Sequence, residues 1–448
     1  MLSIILLAKK WGTEPASPVP PNSPCSRKSG GQEESIMSAT ERQARRAMSV
    51  KRQWDSKVND PRKERNQLHG HHGLLSVMAV ALACGKTCLR RMENFAADLA
   101  PSVRAKLGLK AGLSDTTLYR LLKKQSVTGL RESVWKHLRE LFKKKVIGND
   151  LFPVGVLGCD GKGIFASSSK VVKGAKVLHD KKHGVATSML MSERAVLVSS
   201  SIRPCLDSEI IGEGTGESPA FRQLLPRMVK QFGKHFQIIT ADAGLPCREN
   251  AELVENMKKH YLFTLGKNLH RLFGIVSKSL KKVPLAVRDA LRRDGELVER
   301  ELFTLTVTDA DDLRMPGAKQ IWKLRQTVRR GRKVVSTKVR YFISSIPLGM
   351  LEPAQQLALI RLHWGIENGH NWTMDVALEE DDRQPCQLTC EAIEVVGWLR
   401  IIGYNILSAW RAGLPPKDGV KRPSWSRCME LLRDCFVFNH EARFATLF

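Results

Sequence analysis

The alternation of apolar runs and turn signals between residues 152 and 265 constrains this chain more than any other feature. Val154-Gly155-Val156-Leu157-Gly158-Cys159 is an apolar run that reads as a buried strand ending on Asp160-Gly161-Lys162-Gly163. Residues 176–178 and 194–203 read as two further strands, and three strands in succession suggest an antiparallel meander. Residues 218–232 form an amphipathic helix, with Leu224, Leu225, Met228 and Val229 inward. Phe236-Gln237-Ile238-Ile239-Thr240 is a strand that ends in Ala241-Asp242-Ala243-Gly244. A helix over 249–259 and a strand over 261–265 complete the series.

That order, three strands, helix, strand, helix, strand, is the order of a ribonuclease-H-like α/β core. Such a core needs a long closing helix. One begins near Pro353, and no proline interrupts it before Pro385. Ile360, Trp364, Glu367 and Asn371 share one face of it, because steps of three and four residues stack. An extra segment, 268–350, precedes this helix. It carries strand-like runs at 297–308, 321–328 and 338–346, with Arg329-Arg330-Gly331-Arg332-Lys333 as a basic hairpin tip. The expected organisation is a basic leader at 1–60 and a helical DNA-binding region at 61–150. The core follows at 151–267, the β-rich insertion at 268–350, the catalytic and following helices at 351–412, and a tail at 413–448.

The surface expects a polyanion. The 448 residues carry a formal charge of +27, and cationic surfaces gain affinity for nucleic acid by releasing its counterions. In the helical region a short helix ends at Gly108. Ser114 or Asp115 can then cap a second helix bearing Thr116, Thr117, Tyr119, Arg120 and Lys123. Two short helices around a tight turn suit a helix-turn-helix that contacts DNA. Any basic helical hairpin would share the pattern. Gly85-Lys86-Thr87 is not a phosphate loop, because the first glycine of that motif would fall at Val80. Ten cysteines are too sparse for a disulfide scaffold. They read as reduced thiols of a cytoplasmic protein with no membrane partner, since no apolar run approaches the roughly 20 residues of a membrane span.

Three acids stand at telling positions. Asp160 and Asp242 close two strands, and Glu367 lies on the long helix. Groups just past strand ends line the crevice of an α/β sheet. Convergent carboxylates repel one another, and a hard divalent cation removes that cost. Asp160, Asp242 and Glu367 are therefore the candidate catalytic residues and ligands of Mg²⁺, with Mn²⁺ able to substitute. No organic cofactor is expected. Each acid has a plainer role open to it: a turn at Asp160, a helix cap at Asp242, an ion pair for Glu367 with Arg361 or His363. A zinc site of His363, Glu367 and His370 is a rival, although its spacing is not that of zinc-protease helices.

The chain also resembles the DDE transposases of bacterial insertion sequences, most closely the H-repeat-associated group, over about residues 60–412. The similarity rests on four stretches. They are Asp60-Pro61-Arg62 with 74–97; Ser114-Asp115-Thr116-Thr117-Leu118-Tyr119-Arg120; Asp160-Gly161-Lys162 with Thr240-Ala241-Asp242-Ala243; and His363-Trp364-Gly365-Ile366-Glu367-Asn368 followed by Trp372, Asp375-Val376 and Glu380-Asp381. The resemblance implies that Asp160, Asp242 and Glu367 are the acidic triad of Mg²⁺-dependent strand cleavage and transfer. From the residues themselves, His363, His370 and Asn371 are expected to support the triad or touch phosphate, and Lys267 with the basic tip Arg329, Arg330, Arg332 and Lys333 to contact DNA. The resemblance further implies double-stranded DNA partners (terminal inverted repeats and a target), a homodimer, and a bacterial, nucleoid-associated location. A catalytically inactive, transposase-derived DNA-binding protein is the alternative. The chain departs from the group's pattern in three places. Gly163-Ile164-Phe165-Ala166-Ser167 lacks an arginine, Gly266-Lys267-Asn268 replaces Lys-Gly-Asn, and Gly214-Thr215-Gly216-Glu217-Ser218 stands where Lys-Ser-Asn-Glu is expected.

Overall fold

A computed structural model describes residues 54–64, 67–110, 112–168, 172–180, 185–310, 312–380, 389–413 and 422–438. These residues fall within one compact unit, 39–448. Most of the predicted leader, the last ten residues of the predicted tail and Asp381 lie outside them.

The architecture is mixed α/β. Strands β1 (Val156–Ser167), β3 (Val185–Leu197) and β4 (Cys205–Ile211) pair antiparallel in the order β4-β3-β1, with a short β2 (Lys176–Asp180) also on β3. On the other side of β1, strands β5 (Ile238–Ala241) and β6 (His260–Leu265) run parallel to it. Helix α6 (Glu217–Phe232) buries Leu224, Leu225 and Met228 of the face read from its periodicity, and Phe221 with them, while Val229 is half-buried. Helix α7 (Arg248–Asn256) connects β5 to β6.

Two strand expectations are corrected. The run at 194–203 is not one strand. β3 stops at Leu197, a turn with Arg203 at φ +49° follows, and the unforeseen β4 begins at Cys205. Hydrophobicity alone does not separate a strand from an adjoining buried turn, and Ser199, Ser200 and Ile202 are buried here too. Nor does β1 stop at Asp160. It runs on to Ser167 through Gly161 and Gly163, because the antiparallel ladder to β3 continues, from Asp160↔Arg194 to Ser167↔Ser188. Cross-strand pairing overrides the turn preference of glycine.

The extra segment forms no separate sheet. Its strands β7 (Val287–Arg293), β8 (Glu296–Thr306), β9 (Gln320–Arg330) and β10 (Lys333–Ser344) extend the same sheet, β10 pairing with β6. Helix α8 (His270–Ser279) and β7 go beyond the sequence expectation for this segment. The outer half of this arm lacks apolar cover. Cross-strand pairs hold it instead, Arg325–Glu301 at 2.6 Å, Arg329–Glu299 at 2.7 Å and Arg330–Glu296 at 2.8 Å. The tip is the predicted hairpin, with Gly331 at φ +58°.

The N-terminal helices α1 (His71–Ala83), α2 (Leu89–Asp98), α3 (Pro101–Lys106), α4 (Asp115–Leu122) and α5 (Val127–Lys143) share the core of the sheet region. α1 is apolar all round and lies against the buried helix α10 (Cys390–Gly413). Their backbones approach so closely that a Cβ at Gly403 would lie 2.8 Å from the Ala79 carbonyl oxygen. α10 is long and apolar enough to cross a membrane, but it is buried inside the protein.

Helix α9 (Pro353–Gly365) starts on a capping box, Glu352 with Gln355, and Pro353 in the first turn. The winding then widens into π-helical turns, Ile366–Asn371 and Thr373–Ala377, and Glu379 at φ +49° ends the run. The long helix read from the sequence is therefore present, but wider than an α-helix where its signature residues lie. π-turns concentrate at functional sites.

Candidate active site

Asp160 and Asp242 become neighbours through strand register. β1 and β5 pair in parallel up to Cys159↔Ala241, so the next residue on each strand is one of the two acids. β5 ends there and β1 continues. The third acid arrives from above. The closing helix crosses β1 at Gly158, where a Cβ would meet Ile366 at an ordinary contact distance of 3.7 Å; the crowding at this glycine comes from Val198, at 2.9 Å. Glu367 follows directly, and Asn371 Nδ2 donates to Asp160 Oδ2 at 2.8 Å.

The electrostatics report the convergence. Asp160 is pushed up to about 8 by burial, then by Glu367, Asp242 and Glu217, against the opposing bond from Asn371. Partial burial and Asp242 raise Glu367, while Arg340 works the other way. Burial and Asp242 raise Glu217 as well. The three expected acids thus come together, and Glu217, at the first turn of α6, joins them.

The two histidines serve different partners. His363 Nδ1 meets Thr240 Oγ1 at 3.0 Å, tying α9 to β5 two residues before Asp242. Burial holds this ring neutral, at about 4, although Asp242 favours its charged form. His370 Nε2 faces Arg194 at 3.3 Å, and its ring packs edge-on against Tyr404. Burial, then Arg194 and Lys162, keep it neutral. The two rings therefore do not join Glu367 at a common ligand point.

Behind the acids lies a buried charge network. Arg194, opposite Asp160 in the ladder, bonds Glu380 at 2.7 Å. Lys162 lies 3.7 Å from Glu380 and contacts Asp375. A buried pair like Arg194–Glu380 adds little net stability, but losing one partner strands a charge. The network ties the segment after Asn371 to β1 and β3, which accounts for the Asp375 and Glu380 signature positions. Sequence reasoning assigns no role to Lys162, Arg194 or Arg340. Arg340, whose guanidinium lies 4.7 Å from the Trp364 ring centre, carries no local signal. Arg361 bonds Asp289 rather than Glu367.

The converging acids offer oxygen donors, which suit a hard cation such as Mg²⁺. Asn371 Oδ1 is buried without a hydrogen-bond partner beside Asp160, an acceptor that fits a hydrated ion. Among the described residues no three His, Cys, Asp or Glu side chains already stand at ligand spacing.

The expected DNA-contacting residues divide. On α4 and its C-terminal cap, Thr116, Arg120 and Lys123 form an exposed stripe. Thr117 is occupied in the cap, its NH and hydroxyl both meeting Ser114 Oγ, and Tyr119 is half-buried beneath Lys123. The helix-turn-helix lacks its tight turn, since residues 107–114 separate α3 from α4. Arg329 and Arg330 are engaged by Glu299 and Glu296, whereas Arg332 and Lys333 stand exposed at the tip. Lys267 is exposed just past β6. A Cβ on the adjoining Gly266 would lie 3.0 Å from Ala243, the neighbour of Asp242.

Comparison with known proteins adds to this geometry. The "H repeat-associated putative transposase YhhI" of Escherichia coli (strain K12) is 28% identical over 230 residues, 47% of this chain and 59% of that protein. "Putative protein YbfL" of the same organism is 29% identical over 210 residues, 43% and 54% of the two chains. The chain resembles the H-repeat-associated transposases. The matches span a little over half the length of these relatives. No protein-family model matches. A piggyBac transposase synaptic complex with hairpin DNA aligns with TM-score 0.43 and 11% identity, over 90% of this chain and 81% of that one.

Proposed function

We propose that this transposase relative cuts and joins DNA strands at the ends of a mobile element, with Asp160, Asp242 and Glu367 as its catalytic acids. One observation carries the reading. Three elements far apart in sequence bring these acids close enough that Asp160 is raised by both of the others. A purely structural role would not need three like charges gathered at one place, because assembling them is unfavourable without a counter-ion.

Asp160, Asp242 and Glu367 would hold Mg²⁺, with Mn²⁺ as its substitute. A bound cation there supplies Lewis-acid activation of water and stabilises the leaving oxygen in phosphoryl transfer. The chain's own residues do the rest. Asn371 orients the Asp160 carboxylate, and neutral His363 keeps the helix seated on Thr240. The exposed Lys267, Arg332 and Lys333, with the α4 stripe, offer cations to the DNA backbone. Double-stranded DNA is the partner in this reading, and two copies of the chain would bring two ends together.

The test is nicking of duplex DNA carrying the element's ends, in Mg²⁺ or Mn²⁺. Wild-type protein should nick. Asp160→Asn should lose nicking and keep DNA binding. Undiminished cleavage by that variant would overturn the assignment, and so would DNA binding without nicking by the wild type in either metal.

A further inference from the structure

Two further acids approach the segments that carry Asp160 and Asp242 from the α6 side of β1. Alternation along β1 sends Gly158 and Asp160 toward the closing helix and Gly161 toward α6. A Cβ at Gly161 would collide with Glu217 Oε1, and one at Gly244, in the loop after Asp242, would collide with Oε2. The Glu217 carboxylate is therefore seated between the two segments that carry Asp160 and Asp242. Two glycines make the room for it.

Glu193 points to the same place. It pairs with Gly161 across β1 and β3, so its side chain leaves the sheet on the Glu217 face. It is fully buried, and neither carboxyl oxygen has a hydrogen-bond partner. Glu217 and Asp160 are the charges that act on it. An acid at the first turn of a helix favours the helix dipole. That explains neither the double-glycine seat nor a second buried carboxyl with unused oxygens behind it.

Building on the proposed triad, we propose that Glu217 is a fourth cation-holding acid of this centre, with Glu193 behind it as acceptor for the cation's water shell. The ligand class is a hard divalent cation, Mg²⁺ or Mn²⁺. Hard cations take several oxygen donors and keep part of their hydration, which a buried carboxyl can orient.

The experiment is Mn²⁺ titration of the full chain without DNA, followed by electron paramagnetic resonance or calorimetry. Glu217→Gln and Glu193→Gln should each weaken Mn²⁺ binding roughly tenfold while leaving metal-free melting at or above the wild-type temperature. Should Glu193→Gln fail to fold, Gly161→Ala provides the second variant. Its added methyl displaces the Glu217 carboxylate and should weaken Mn²⁺ to a similar degree. Wild-type affinity in Glu217→Gln, with Asp160→Asn still losing Mn²⁺, overturns this inference and leaves the triad standing. Absence of Mn²⁺ binding by the wild type overturns both.

Discussion

Asp160 is the residue on which the site's electrostatics are most exposed to measurement. Its carboxyl titrates near 3.8 when free and is raised to about 8 in the fold. Between those values the folded chain holds a proton that the unfolded chain releases. The contribution to stability is complete below about pH 4 and is lost as pH rises toward 8, with a slope of at most about 1.4 kcal/mol per pH unit. Metal-free protein should therefore weaken over that window. Asp160→Asn should flatten the decline and raise the melting temperature at pH 8, and an unchanged pH profile would refute the clustering. Asn371→Ala removes the bond that orients Asp160 and should lower nicking by about tenfold to a hundredfold with DNA affinity unchanged. Asp242 and Glu367 are legible because a strand end and a helix face can be read from periodicity, and Asp160 because of the glycine that follows it, although β1 runs on past it. Glu217, Glu193, Arg194 and Arg340 are not, because their meaning depends on which sheet face they leave and what lies across from them.

At the scale of elements, the helices are more legible than the strands. α6 and α7 carry their burial in a repeating pattern, and α10 in a nearly unbroken apolar run, that a single chain displays. β4 hides within a run of buried residues, and the glycines of β1 mimic its end, because ladder partners far away in sequence decide where a strand stops. The widening of the closing helix at Ile366 is equally hidden, since nothing in Ile366-Glu367-Asn368-Gly369 distinguishes a π-turn from an α-turn before it packs. One meeting of elements is open to direct test. Gly403 lets α10 approach the backbone of α1, where a Cβ would meet the Ala79 oxygen at 2.8 Å and the Ala83 nitrogen at 3.1 Å. Those are backbone atoms and cannot swing aside. Gly403→Val should cost about 1–3 kcal/mol in a urea titration, by forcing the helices apart. A midpoint equal to wild type would show that the two helices can separate freely.

Across the whole molecule, charge is the property with the longest reach. A formal +27 does not by itself make a DNA site, because many cations here are already engaged. Arg329 and Arg330 brace the β8–β9 ladder through Glu299 and Glu296, and Arg194 is locked to Glu380. The exposed positions at the arm's tip, Arg332 and Lys333, are a different population, and the two kinds should separate in one experiment. If the tip binds DNA phosphates, Arg332→Glu with Lys333→Glu weakens binding uniformly across sequences. It also flattens the dependence of log K on log salt by about 0.9 for each phosphate that the tip ceases to neutralise. Arg329→Ala acts on the fold instead. It leaves Glu299 unpaired in a sheet segment without apolar cover, so its signature is a lower melting temperature with the salt slope preserved. Binding measured over about 50–200 mM salt distinguishes the outcomes. A slope unchanged by the double reversal would remove the tip from the DNA-binding surface and move that role to Lys267 and the exposed stripe of α4.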